Sequence, residues 1–293
     1  VAVGPSAALE AEVAATAGMA VCACLPFSAA DAFHERWAAN GRVTAAILLD
    51  ASMRHSAEIS SLAAAAGSYS LGFHVSHALG SDDTSNGLKN SAWSIDELAR
   101  DGLLSDRLAL WNPKGLCARD IRLLLEAQAC VVLCPSVYGD SLPDLSLLVT
   151  FQRGGGTLAL GTDTGPDAFG YDMFGVMDRA AKLAKVATMD PTAFPANDVL
   201  QMASRSGAHV LGIPSVRGVL APGAAADLVV IDFDRPHLTP VYDHMSHLVY
   251  AAQGGDVSCT MVAGEWAVWE GEICGIRPSG LSRAVPCAGS QPQ

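Results

Sequence analysis

Strand-sized apolar runs separated by helix-like stretches recur along most of this chain, and that alternation limits its fold more than any other feature. Met19–Leu25, Val43–Leu49, Tyr69–Val75, Leu108–Trp111, Ala129–Cys134 and Thr157–Thr162 are largely continuous apolar runs. A run that is apolar at nearly every position is buried on both faces, which marks a parallel strand covered by helices. Between the runs lie helix-like segments. Ser6–Ala17 is closed by Gly18, and 57–66 follows the second run. Ser94 stands as an N-cap before Ile95–Arg100. Cys117–Ala127 comes next, then Leu142–Gln152 with a break at Gly154–Gly156. Asp172–Ala187 and Pro195–Ser206 close the series. The pattern predicts an α/β fold with about six βα units in residues 1–212.

After Gly212 the alternation stops. "VLAPGAAADLVVIDF" reads as two strand runs around a Pro-Gly turn. "VSCTMVAGEWAVWEG" reads as a hairpin with Ala263-Gly264-Glu265 at its tip. Residues 213–276 are therefore expected to form a small β layer. Residues 277–293, rich in Pro, Ser and Gly, are expected to be a loose tail.

Composition narrows the function. Half of the 293 residues are apolar, 16% are charged, and the formal net charge is -12. No Lys/Arg-rich run occurs, which argues against nucleic acid and against an anionic membrane as partners. No apolar stretch approaches the roughly 20 residues of a membrane span. The eight cysteines, Cys22, Cys24, Cys117, Cys130, Cys134, Cys259, Cys274 and Cys287, are scattered, with no CxxC pair. In a chain of this length that favours free thiols and a cytoplasmic setting. The start shows no charged-then-apolar leader. Its first residue is Val rather than Met, which reads as a fragment or a processed product.

One local feature carries chemistry. The run ending at Gly161 stops at Thr162-Asp163. A carboxylate at the tip of a buried strand either caps the helix that follows or faces a site at the strand end. Sequence pattern alone leaves both readings open.

Three stretches carry a resemblance. They are "GTDTG" at the strand end, "DMF" after it, and "DPTAFPANDVLQMASRSGAHVLGI" further on. Beyond them, Gly218–Leu228 follows a G-x-L-x-P-G-x-x-A-D-L pattern, and Pro236-His237-Leu238-Thr239-Pro240 forms a second motif. Together they resemble the amidohydrolase superfamily, in its aminohydrolase and chlorohydrolase branch related to S-adenosylhomocysteine/methylthioadenosine deaminase. The likeness is strongest from Leu158 to Gly271 and weaker from Ser6 to Phe151. It implies a (β/α)8 TIM barrel with its site at the C-terminal strand ends. It also implies a small β-sandwich, and a Zn2+ or Fe2+ ion that activates water for attack on a C–N or C–halogen bond. With about six βα units in view, the barrel is expected to lack its first strands.

The resemblance assigns roles position by position. Asp163 matches the eighth-strand Asp, which is catalytic and touches the metal. On the fifth strand, "GFHVSHALG" matched without gaps sets His74 at the first His, Ser76 at the ligand position and Leu79 at a proton-shuttling Glu. A one-residue shift sets His77 at the ligand position and Gly80 at the Glu. The other reading of His74 and His77 is two ordinary strand-end residues. Asn112 stands at the sixth-strand His and, with Asp172, is the candidate substrate-binding pair. Leu133-Cys134 replace a His-containing motif on the seventh strand, and Cys134 reads as a buried thiol rather than a nucleophile. His237 and Asp227 read as structural. His244 and His247 sit at helix spacing and read as core or interface residues. No His-x-His pair occurs anywhere.

A catalytic zinc takes three protein ligands and an open position. Only Asp163, His74 and His77 are in view as metal ligands here. Two expectations therefore stand side by side. One is a metal-dependent hydrolase of a small heterocyclic substrate, acting by deamination or dechlorination. The other is a relative without catalysis, serving as a binding or assembly subunit with weakly bound metal or none. An unclosed sheet leaves edges to cover, so a homodimer or a partner chain supplying strands is expected.

Overall fold

The computed structural model describes residues 2–3, 8, 21–25, 27–37, 43–49, 72–76, 93–135, 143–162, 170–212 and 218–274. A parallel sheet of seven strands forms its centre. The strands are β1 Ala2–Val3, β2 Val21–Leu25, β3 Val43–Leu49, β4 Gly72–Ser76, β5 Leu108–Trp111, β6 Cys130–Leu133 and β7 Leu158–Leu160. Strand order follows chain order, and every neighbouring pair is parallel. Parallel neighbours need a long crossover. Helices α1 Phe27–Trp37, α2 Ile95–Arg100, α3 Ala118–Glu126 and α4 Leu145–Arg153 lie in those crossovers.

The sheet holds one strand more than the about six expected, because Ala2 and Val3 pair with Ala23 and Cys24. Two residues show no periodicity, so the sequence could not reveal them. Helix α1 was also not expected. Its apolar anchors are few, chiefly Phe33 and Trp37, one turn apart with ring centroids 6.2 Å from each other.

The strand period of two sorts the side chains onto two faces. Ala23, Leu25, Ile47, Leu49, Leu108, Leu110, Val131, Leu133, Leu158 and Leu160 join one large core with helical residues such as Leu124, Phe151 and Val176. The intervening residues pack on the opposite face. Cys22, Cys24 and Ala46 form one cluster there, against Leu211. Val132, Cys134 and Ala159 form another, against Trp111 and Val210. On a flat sheet β3 and β6 would stand about 14 Å apart at ~4.8 Å per strand. Adjacent residues Val210 and Leu211 reach both clusters, which is the geometry of a curled sheet.

Past β7 come α5 Met173–Thr188, α6 Ala196–Ala203 and α7 Arg205–Val210. The single helix expected over Pro195–Ser206 is broken at Ser204, whose φ is -124° and ψ -85°. Gly218 lies against the break. A Cβ on it would lie 2.8 Å from the Cα and N of Arg205, so the backbone of 218 presses on the α6–α7 junction.

Four antiparallel strands form the second sheet, in the order β11-β10-β9-β8. They are β8 Leu228–Ile231, β9 Val257–Val262, β10 Glu265–Trp269 and β11 Glu272–Ile273. The expected hairpin tip is present. Ala263 and Gly264 have φ of 50° and 83°, as a two-residue type I′ turn requires. Of the two strand runs expected around Pro222-Gly223, only β8 forms. Residues 221–224 instead close a turn, with the Ala224 N–H donating to the Ala221 carbonyl at 3.0 Å and Gly223 at φ 84°. Helix α8 His244–Tyr250 packs back on α5 and α6, and its Val249 is fully buried in the main core.

Candidate functional site

The C-terminal ends of β5, β6 and β7 lie side by side, and the first two are followed by Asn112 and Cys134, both singled out by the sequence. Asn112 follows β5 directly. It is 1% exposed and sits at φ 45°, a left-handed conformation that asparagine tolerates better than most residues. Its backbone N–H donates to the Val132 carbonyl at 2.9 Å. Its side-chain Oδ1 accepts the N–H of Cys134 at 2.7 Å. The carboxamide oxygen thus spans the β5 and β6 ends, where the sequence reading had offered it to substrate.

Cys134 is buried beyond β6. A Cβ on Gly161 would stand 3.0 Å from the Cys134 Sγ, so glycine there lets the ends of β6 and β7 close together. The Gly161 N–H donates to the Leu133 carbonyl at 3.0 Å, carrying the ladder one residue past β7. Thr162 follows, half-buried. Asp163, the next residue in the chain, lies outside the described residues, as does His77. His74 lies on β4, where its Cα registers with Leu48 on one side and Ala109 on the other. Ser76 registers with Trp111. Among the described residues, His, Cys, Asp and Glu form no group of three or more able to hold a metal ion.

Asp172 caps α5 with Oδ1, which accepts the Phe174 N–H at 2.9 Å. Its Oδ2 accepts the Gly254 N–H at 3.1 Å. Both oxygens of Asp172, a candidate substrate-binding residue, thus accept backbone N–H groups.

The two motifs of the resemblance keep the fold. In the first, Gly218 makes its close approach, Pro222-Gly223 turns the chain, and Asp227 Oδ1 accepts the Ala263 N–H at 2.6 Å. In the second, Leu238 is fully buried and His237 Nε2 lies 3.0 Å from Asp256 Oδ2. Asp256 also accepts the Gln253 N–H at 2.9 Å. Burial opposes its charge, but the His237 and Gln253 hydrogen bonds outweigh that and hold its carboxyl below the usual range. Sequence reasoning missed Asp256. The glycine pair before it was the available signal for a turn. The His244 ring lies tilted against Phe233 at 5.4 Å, and the His247 Nδ1 lies 2.8 Å from the Asp243 carbonyl oxygen.

None of the seven described cysteines is in a disulfide. Five are buried, and Cys117 and Cys274 are exposed. Burial, reinforced by the nearby Asp106 charge, pushes the Cys130 thiol up to about 11. No helix among the described residues is long and apolar enough to cross a membrane.

A parallel sheet of seven strands in chain order, with Asn112 and Cys134 buried past its C-terminal strand ends, is consistent with a TIM-barrel-type scaffold. Residues 147–267 match the model of the Amidohydrolase family. The 5-methylthioadenosine/S-adenosylhomocysteine deaminase of Syntrophobacter fumaroxidans is 41% identical over 170 residues, covering 58% of this chain and 39% of that protein. The 5'-deoxyadenosine deaminase of Methanothermobacter thermautotrophicus is 36% identical over 179 residues, covering 61% and 42%. This chain therefore matches well under half the length of either relative. Among solved structures, an adenosine deaminase from Xanthomonas campestris with bound zinc superposes with a TM-score of 0.80 at 24% identity, over 95% of this chain and 67% of that one. An atrazine chlorohydrolase from Arthrobacter aurescens complexed with zinc gives 0.73 at 19% identity, over 93% and 66%. These two likenesses are likenesses of fold.

Proposed function

We propose that this chain descends from, and acts as part of, a metal-dependent amidohydrolase that deaminates an adenosine-type or similar small heterocycle by hydrolysis of a C–N bond. The observation that carries the reading is the sequence match to proteins named as adenosine-type deaminases. Deamination is preferred to dechlorination, because the sequence matches bear deaminase names while the chlorohydrolase likeness is one of fold. Asp163 is proposed as metal ligand and proton acceptor, with His74 or His77 as a further ligand and Zn2+ or Fe2+ as the ion. When bound, such an ion lowers the pKa of water to near 7 and supplies the nucleophile. The described residues do not make up a ligand set by themselves. Ligands and strands supplied by a second copy or by another polypeptide complete the proposal.

The test is metal analysis of the purified protein together with a deaminase assay on adenosine and 5-methylthioadenosine, for the wild type and Asp163→Ala. Near-stoichiometric zinc or iron, and ammonia release lost in Asp163→Ala, support the reading. A metal-free, inactive protein that stays so when Zn2+ is added rules out a site built from copies of this chain alone, and one that stays so together with a polypeptide supplying the further strands sinks the reading.

One observation favours a second reading, an amidohydrolase-like binding or assembly subunit without catalysis. At the position of the sixth-strand His stands Asn112, with its carboxamide oxygen engaged by the backbone of Cys134. Binding of adenosine without turnover, measured by calorimetry, decides for this reading.

A further inference from the structure

We propose that Asp172 is a two-sided clasp that couples the Gly254–Asp256 turn to the first turn of α5, so that the second sheet and the helix after β7 open and close as one unit. An ordinary N-cap uses one acceptor, and serine or threonine serves as well as aspartate. Asp172 uses two. Oδ1 takes the Phe174 N–H at 2.9 Å, and Oδ2 takes the N–H of Gly254, 82 residues further along the chain, at 3.1 Å. The approach is close: a Cβ on Gly254 would stand 3.4 Å from the Asp172 Cγ.

The turn is gripped from its other side as well. Asp256, 5% exposed, accepts the Gln253 N–H at 2.9 Å and pairs with His237 Nε2 at 3.0 Å. The Asp256 carbonyl accepts the N–H of Asp232, the residue after β8, at 2.8 Å. Strand β9 begins at Val257, immediately after the turn. An unbroken series of bonds therefore runs from the ends of β8 and β9, through the turn, to the start of α5. Neither Asp172 nor Gly254 neighbours the other in sequence, so this bond joins two regions that local structure does not. The inference concerns the fold of this chain and stands apart from the C–N hydrolase reading.

Asparagine is the discriminating substitution. It keeps one acceptor oxygen and replaces the other with a donor, which then meets an N–H head on. The experiment is hydrogen–deuterium exchange by mass spectrometry on the full chain. In Asp172→Asn, the segment that loses its acceptor, 253–256 or 173–176, exchanges about fivefold faster or more, and the other, no longer tied to it, exchanges faster by a smaller factor. In Asp172→Ala both exchange faster. Asp256→Asn, which leaves Asp172 in place, is the second variant. The clasp predicts faster exchange at 173–176 as well as at 253–256. Unchanged exchange in Asp172→Asn, or an Asp256→Asn effect confined to 253–256, overturns the proposal.

Discussion

The side chain of Asn112 holds the backbone of Cys134, Oδ1 to N–H at 2.7 Å, across the buried ends of two neighbouring strands. That bond satisfies an N–H just beyond the last residue of β6, at a point where the ladder gives way to loop. Asn112→Ala leaves this donor unpaired, at a cost of about 1–3 kcal/mol. It also places alanine at φ 45°. Asn112→Gly loses the same acceptor but adopts that φ freely, so it should be less destabilised than the alanine variant by about 0.5–1 kcal/mol. Urea denaturation of the three proteins gives both differences. Equal stability of Asn112→Ala and wild type would remove the bond's structural role.

Gly218 and Gly223 both sit at positive φ, 73° and 84°, yet they should respond differently to alanine. At Gly223 an added Cβ meets nothing within 4 Å, so only the conformational cost applies, about 1 kcal/mol. At Gly218 the same Cβ runs into the backbone of Arg205 at 2.8 Å, and backbone yields less readily than a side chain. Gly218→Ala is expected to cost at least about 2 kcal/mol. Denaturant midpoints that rank the two variants the other way would show that the α6–α7 junction yields easily.

The hairpin turn offers a stabilising change. Ala263 is exposed and adopts φ 50°, which its Cβ disfavours, while Gly264 at 83° suits its place. Asn-Gly is the favoured pair for such a turn. Ala263→Asn should therefore raise stability by about 0.5 kcal/mol, provided Asp227 keeps its hold on the residue 263 N–H. A rise in the urea midpoint with an unchanged slope is the expected result, and a fall would contradict it.

Acid should act on Asp190. The Thr192 hydroxyl, then Arg153 and the Thr192 N–H, hold its carboxyl down to about 2. Its folded value is thus below the unfolded value of ~3.9. A depressed carboxyl contributes stability in full above the unfolded value, and that contribution fades as pH falls through the folded one. Asp190→Asn should lose stability relative to wild type at neutral pH, and the gap should close between about pH 4 and pH 2. Circular dichroism of urea titrations at several pH values reads this directly. A gap that stays constant down to pH 2 would assign the loss to hydrogen bonding alone.

Much of the scaffold was legible because burial on both faces writes itself into composition. Val43–Leu49 appears in the sheet with the bounds its apolar run gives, and Ala129–Cys134 brackets Cys130–Leu133. Ala2–Val3 was not legible, since two residues carry no pattern. Val219-Leu220 looked like a strand but pairs with no strand among the described residues; Leu220 is 86% exposed, and Pro222-Gly223 turns the chain away. At the candidate site the limit is distance along the chain. Asp172 stood out locally, but its Gly254 partner lies 82 residues away, and nothing in the intervening sequence signals the bond. Asn112 stood out as a substitution for histidine, while its hold on Cys134 depends on two strands lying in register.

The clamp formed by Gly218, the Pro222-Gly223 turn and Asp227 has a consequence for ancestry. Its residues are fixed by steric contact, left-handed backbone and one short hydrogen bond, none of which asks anything of a substrate. Selection for mere foldedness would preserve such a stretch after chemistry had drifted elsewhere. Kinship read from it is a record of architecture, and the trade practised on that architecture is free to change beneath it.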